Sequence, residues 1–171
     1  FEAELALDQE GHFISFRANS TNNLGAYISS VRNIQAGFGN IGGVVGVYKI
    51  PASYVSIVGV MTNTSSTAPY RGAGRPEASY VIERMIDEAA REMKLDPAEI
   101  RQMNIIMPED MPYQTSLVFK YDCGDFPANM AKALEMSDYQ GFPARRNEAE
   151  SRGKLRGIGI ANVIERSASP A

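Results

Sequence analysis

Residues 76–94 constrain this chain more than any other stretch. Ala78, Val81, Ile82, Met85, Ile86, Ala89, Ala90 and Met93 recur at intervals of three and four, which sets them on one stripe of a helix. A helix with such a stripe must bury it against a second layer of structure. Pro76 suits the first helical turn, and Glu77 complements the positive end of the helix dipole. A second helix follows at once, with Asp96 as its N-cap, Pro97 as its first residue and Glu99 completing a capping-box pattern, and it should run to Asn104.

Ahead of the helices the period changes to two. Phe1, Ala3, Leu5 and Leu7 share one face, Asp8–Gly11 makes a turn, and Phe13–Ala18 returns, so the N-terminus reads as a β-hairpin. Asn19–Gly25 reads as a polar loop, and Ala26–Val31 as a short strand or a helical turn. Tyr54–Met61 is dense in β-branched residues and reads as a strand that empties into a Ser/Thr/Asn loop over Thr62–Pro69. After the two helices, Pro108 and Pro112 mark an irregular crossing, and Ser116–Tyr121 is a short strand. Asp125 caps a helix over Phe126–Ser137, and Phe142-Pro143 opens a shorter one that Gly153 stops. The alternation over Leu155–Ile164 predicts a final strand. The sum is an α+β fold: a mixed sheet with an N-terminal hairpin and packed helices. The chain opens on Phe1 in one strand-like run and closes just after another, which reads as an internal piece of a longer protein.

Several function classes drop out on residue supply. One histidine (His12) and one cysteine (Cys123) leave no intrachain disulfide and no four-ligand zinc site. His12 beside a turn glycine reads as an exposed hairpin residue. Cys123 has no neighbouring base to activate it and reads as a packed or idle thiol. No apolar run approaches the roughly 20 residues of a membrane helix, and no signal-peptide pattern opens the chain. With the single cysteine, this points to the cytoplasm. Gly37–Gly42 spells G-x-G-x-x-G, but no acid follows until Glu77, so a dinucleotide site is not expected there.

Charge is unevenly spread. Residues 11–76 carry five bases (Arg17, Arg32, Lys49, Arg71, Arg75) and no acid. Five dispersed bases are too few for a nucleic-acid groove. The stretch is either a polar half with few carboxylates or a surface kept clear of them because an anion sits there. It ends on Ala68-Pro69-Tyr70-Arg71-Gly72-Ala73-Gly74-Arg75-Pro76-Glu77, a glycine loop running into the N-terminus of the longest helix. Free N–H groups, backbone open to close approach and two arginines suit an anion or oxo group. A tight strand-to-helix turn with surface arginines would look the same. The Lys-Ser/Thr of a P-loop is missing, which argues against ATP.

That loop, preceded by Thr62-Asn63-Thr64, resembles the molybdopterin-binding large subunits of the xanthine dehydrogenase, aldehyde oxidase and carbon monoxide dehydrogenase large chain family. Glu4–Asp8, Asn23–Tyr27, Tyr48–Ala52, Glu83–Asp87, Arg101–Asn104, Met111–Thr115, Gly124–Phe126 and Arg152–Gly159 resemble further family blocks in the right order. The resemblance implies an oxidoreductase that hydroxylates an aldehyde or heteroaromatic small molecule with water-derived oxygen at molybdenum-molybdopterin. It implies electron transfer through iron–sulfur and FAD partner subunits or domains in an oligomeric complex. It places Arg71, Gly72, Ala73 and Gly74 at the cofactor, with Ala73 also facing substrate. Carbon monoxide dehydrogenases carry a copper-holding cysteine where this chain has Gly72, and xanthine-specific enzymes an arginine where it has the uncharged Gly39–Val47. The first departure argues against a carbon monoxide dehydrogenase large chain and the second against purine oxidation, which favours an aldehyde or heteroaromatic substrate; a non-catalytic interaction module of the same fold is the other alternative. The family's catalytic glutamate and other cofactor segments lie beyond these residues, so no catalytic residue and no protein metal ligand is assigned. The piece alone is expected to be inactive.

Overall fold

A computed structural model describes residues 1–30, 33–34 and 43–165. The hairpin forms as the alternation requires: β1 (Glu2–Leu7) pairs antiparallel with β2 (Phe13–Gly25), with a register shift at Ala6/Leu7 and Gly11 in the left-handed region at φ +100°. β2 then pairs in parallel with β3 (Ala52–Met61), giving a mixed sheet in the order β1-β2-β3. Asn19–Gly25, expected as a loop, belongs to β2, because β3 supplies partners as far as Gly25. The polar residues fit this strand by alternation: Thr21 and Asn23 face out, while Ser20 and Leu24 are buried.

The inner face of the sheet meets α1 (Arg75–Met93), whose buried residues include Ala78, Val81, Ile82, Ile86, Ala89 and Ala90. Phe16, Ala18, Val45, Tyr48 and Ile50 join them in one core. Ile82 and Ile86 are fully buried, each contributing about 2 kcal/mol of hydrophobic stabilisation. Lys94 ends α1 in the left-handed conformation, and α2 (Pro97–Asn104) begins with the Asp96 carboxylate accepting from the N–H groups of Ala98 and Glu99 at 2.7 and 3.2 Å. The buried Asn104 side chain returns α2 to the hairpin. It accepts from Phe13 N–H at 2.8 Å and donates to the Gly11 carbonyl at 2.9 Å.

The strand expected over Ser116–Tyr121 shrinks to β5 (Lys120–Tyr121), paired with β4 (Tyr113–Gln114). The two later helices are as expected, α3 at Phe126–Met136 under Asp125 and α4 at Phe142–Ser151. Leu155–Ile164 forms no strand. It runs extended across the helices, with Leu155 and Val163 exposed. Its alternation finds no strand partner among the described residues. The stretch Ala26–Val31 holds no regular element as far as Ser30, and Val31 and the Gly37–Gly42 pattern lie outside the described residues.

Polar groups fasten that extended segment. Glu83 on α1 and Arg101 on α2 are buried and paired at 2.8 Å. Tyr48 donates its hydroxyl to Glu83 at 2.7 Å, and Asn162 donates its backbone N–H to the same carboxylate at 3.1 Å. Arg101 also donates to the Ile160 carbonyl at 3.1 Å.

Candidate functional site

β3 and α1 are joined by a loop whose last turn has an unusual backbone. Gly72, Ala73 and Gly74 stand in succession at φ +86°, +44° and +89°. Three local bonds hold them: Ala73 N–H to the Tyr70 carbonyl at 3.2 Å, Arg75 N–H to Gly72 at 3.0 Å and Ala78 N–H to Gly74 at 3.0 Å. A Cβ at residue 72 would lie 2.7 Å from both Cγ and Cδ of Pro76, so backbone angle and space both demand glycine. Ala73 has a Cβ and still takes the left-handed conformation, at a cost of about 1–2 kcal/mol. Strain of this kind gathers at ligand-binding turns.

The first half of the loop is tied to the end of β2. Ala26 N–H donates to Thr64 at 2.9 Å, Thr62 N–H to Gly25 at 2.9 Å and Thr67 N–H to Leu24 at 3.2 Å. Asn23 bridges Thr62 and Thr64 through its amide. The buried Asn33 donates to the Ser66 hydroxyl at 2.8 Å and to the Thr67 carbonyl. Gly25, at φ +81°, is pressed so close that a Cβ would sit 2.3 Å from the Ser65 carbonyl oxygen.

The electrostatics single out one arginine. Of the described bases in the carboxylate-free stretch, Arg17 pairs with Glu4 at 2.5 Å, Lys49 with Asp110 at 2.5 Å and Arg75 with Glu165 at 2.9 Å. Arg71 forms no ion pair among the described residues and is exposed. The partners of the other three all come from outside the stretch. Asp110, held by Lys49 and the Met107 N–H, has its carboxyl below the usual carboxylate range.

Beneath the loop lies a cavity of about 280 Å³, bounded by Asn22, Leu24, Ile57, Thr67, Gly74 and Glu77 among others. The Nδ2 of Asn22 is buried there with no hydrogen-bond partner among the described residues. A buried donor without an acceptor is costly, and a ligand oxygen or nitrogen would satisfy it.

The four residues expected at the cofactor, Arg71, Gly72, Ala73 and Gly74, therefore form one turn, from the exposed Arg71 to the buried Gly74. Arg75, the second arginine of the loop, is instead committed to Glu165. Sequence reasoning did not single out Asn22 and Asn33 as part of the site. Asn22 falls in an amide-rich run at the end of a strand, which also describes any polar loop, and Asn33 lies beyond that run with no signal of its own. His12 is exposed beside Asp8, and Cys123 is exposed, its thiol pushed up by the Asp122 carboxylate. Among the described residues no cluster of His, Cys, Asp or Glu could hold a metal ion, and no helix is long and apolar enough to cross a membrane.

The sequence pattern of the molybdopterin cofactor-binding domain family matches residues 1–105. This chain belongs to that family. The carbon monoxide dehydrogenase large chain of Hydrogenophaga pseudoflava is 36% identical over 96% of the chain and 21% of the relative. Subunit gamma of the 6-hydroxypseudooxynicotine dehydrogenase complex of Paenarthrobacter nicotinovorans is 29% identical over 96% of the chain and 21% of the relative. Among solved structures, quinoline 2-oxidoreductase from Pseudomonas putida 86 superposes with a TM-score of 0.80 at 33% identity, over 88% of this chain and 19% of that one. The chain thus spans about a fifth of the length of the relatives it matches.

The residues present fit the molybdopterin cofactor that the family binds. A cofactor that brings its own metal ligands needs hydrogen-bond donors and close backbone approach from the protein. The loop offers both, in the unpaired Arg71 guanidinium, the unpartnered Asn22 amide and the Gly72–Gly74 turn.

Proposed function

We propose that this chain forms one wall of the cofactor site in the large subunit of a molybdenum hydroxylase. In this reading residues 1–171 are a fragment of the cofactor-binding domain of a larger subunit. The observation that carries it is the turn itself. Three successive left-handed residues sit between Arg71, which forms no ion pair among the described residues, and the N-terminus of the longest described helix. When bound, the cofactor supplies the two-electron redox chemistry. Arg71 and Asn22 donate hydrogen bonds to it, Gly72 and Gly74 let the backbone approach, and Ala73 turns its small side chain toward substrate. Bare backbone and a methyl group leave room for a planar substrate, and an aldehyde or heteroaromatic ring fits. The quinoline-oxidising and 6-hydroxypseudooxynicotine-oxidising relatives support that class. Iron–sulfur and flavin subunits of a cytoplasmic complex take the electrons.

The test is metal and cofactor analysis of the full-length subunit with its natural partners. One molybdenum per subunit without stoichiometric copper is the expected result, and Arg71→Ala should lower occupancy severalfold without unfolding the protein. Copper equal to molybdenum would replace this reading with that of a carbon monoxide dehydrogenase large chain. That alternative rests on the 36% identical relative, and against it stands Gly72, which has no thiol and no space for one. A subunit that takes up no molybdenum when the cofactor is supplied would leave a binding module of the same fold.

A further inference from the structure

We infer that the extended segment Ile158–Glu165 is a strap that positions the Arg71–Gly74 turn, with Arg75 as the positioning residue through which it acts. The segment joins no strand among the described residues, yet it bonds to side chains of both central helices. It is fastened at its middle and at its end. In the middle, Ile160 and Asn162 bind the buried Arg101–Glu83 pair, and the Asn162 amide also donates to the Tyr48 hydroxyl at 3.0 Å. Arg101 has no solvent exposure and makes five hydrogen bonds: to Glu83 at both its carboxylate and its carbonyl, to Pro97, to Asp87 and to Ile160. A buried guanidinium bonded to four residues is held in place, and its Nη2 group ties the Ile160 carbonyl to the same point as Glu83 and Asp87.

At its end, Glu165 reaches Arg75 at 2.9 Å. Arg75 is the first residue of α1, and its own N–H donates to Gly72 at 3.0 Å. A pull on the Arg75 side chain is therefore felt one hydrogen bond away, in the strained turn. A groove of about 460 Å³ runs between strap and turn, bordered by Gly72, Pro76, Tyr80, Ile160, Val163 and Glu165. The turn thus has the cavity with Asn22 on one side and the strap on the other. Of the two arginines that flank the loop, Arg71 forms no ion pair among the described residues, while Arg75 pairs with Glu165 through Nη1 and keeps a buried Nε donor without a partner among them.

A half-exposed ion pair alone would be weak. Here the buried network holds the backbone just before Glu165, which lowers the entropy cost of bringing its side chain to Arg75. The importance of the turn rests on the cofactor reading above, but the strap can be tested apart from it. Hydrogen–deuterium exchange on the full-length subunit, read at peptides covering residues 70–78 and 158–165, compares Glu165→Ala, Asn162→Ala and the exposed control Arg146→Ala. Glu165→Ala should speed exchange of the Ala73, Arg75 and Ala78 amides about tenfold, with the slope of melting unchanged. Asn162→Ala should do the same and also loosen residues 158–165. The control should change neither. If Asn162→Ala fails to fold, Glu165→Ala decides alone, because its side chain is exposed and outside the core. Turn exchange within twofold of the parent in Glu165→Ala overturns the strap. Molybdenum content of the same samples separates the two readings: a loosened turn in a subunit that never binds molybdenum keeps the strap and sinks the cofactor reading.

Discussion

At position 72 two independent constraints coincide, a left-handed backbone and the Pro76 ring. Gly72→Ala should therefore cost roughly 1–3 kcal/mol, part from strain and part from overlap. The second part is separable: Pro76→Ala removes the ring, so the double variant should recover about 1 kcal/mol relative to additivity in a thermal melting cycle. Arg71→Ala should change stability by less than about 0.5 kcal/mol, because an exposed, unpaired side chain contributes little. A loss of cofactor with unchanged melting is the signature of a ligand-facing arginine. The glycines and arginines of this turn are legible in the sequence because each acts through local backbone chemistry. That Ala73 also adopts the left-handed form is not, since alanine gives no such signal. Nor does the sequence distinguish Arg71 from Arg75, because the difference is a glutamate 90 positions later.

Among the elements, the two central helices follow directly from their patterns. Asp96→Ala should lower stability by about 1 kcal/mol in urea denaturation, the usual value of an N-cap. The pairing of those helices is a stiffer matter. Arg101→Met would leave the Glu83 carboxylate buried without its cation and should cost about 3–5 kcal/mol. Replacing both partners with apolar residues should recover much of that loss, which distinguishes a stranded charge from a packing defect. Two elements depart from their local pattern for a common reason. Asn19–Gly25 looks like a loop in isolation, and β3 makes it a strand; Leu155–Ile164 looks like a strand but pairs with none among the described residues. Strand identity belongs to a pair of segments, while a periodic helix carries its hydrogen bonds within itself.

For the molecule as a whole, alkaline unfolding should report on two buried phenols. Burial pushes the Tyr121 hydroxyl up to about 12 from an ordinary 10.0, and burial beside Glu83 raises Tyr48 as well. A phenol with a raised pKa holds its proton longer in the folded state than in the unfolded one. Its stabilisation is complete below pH 10 and declines as pH rises towards 12. Melting temperatures measured across that window should fall, and Tyr121→Phe should flatten the fall while losing the bond to the Gly46 carbonyl. The sequence by itself determined the helices, the hairpin, the family blocks and the glycine turn, because each is written in neighbouring residues. Only the tertiary structure decided how far β2 extends, which arginine stays unpaired, that Asn22 holds an unmet donor and that the C-terminal segment returns to the turn. Each of those depends on a partner distant in the chain, and such pairings leave no trace in local spacing.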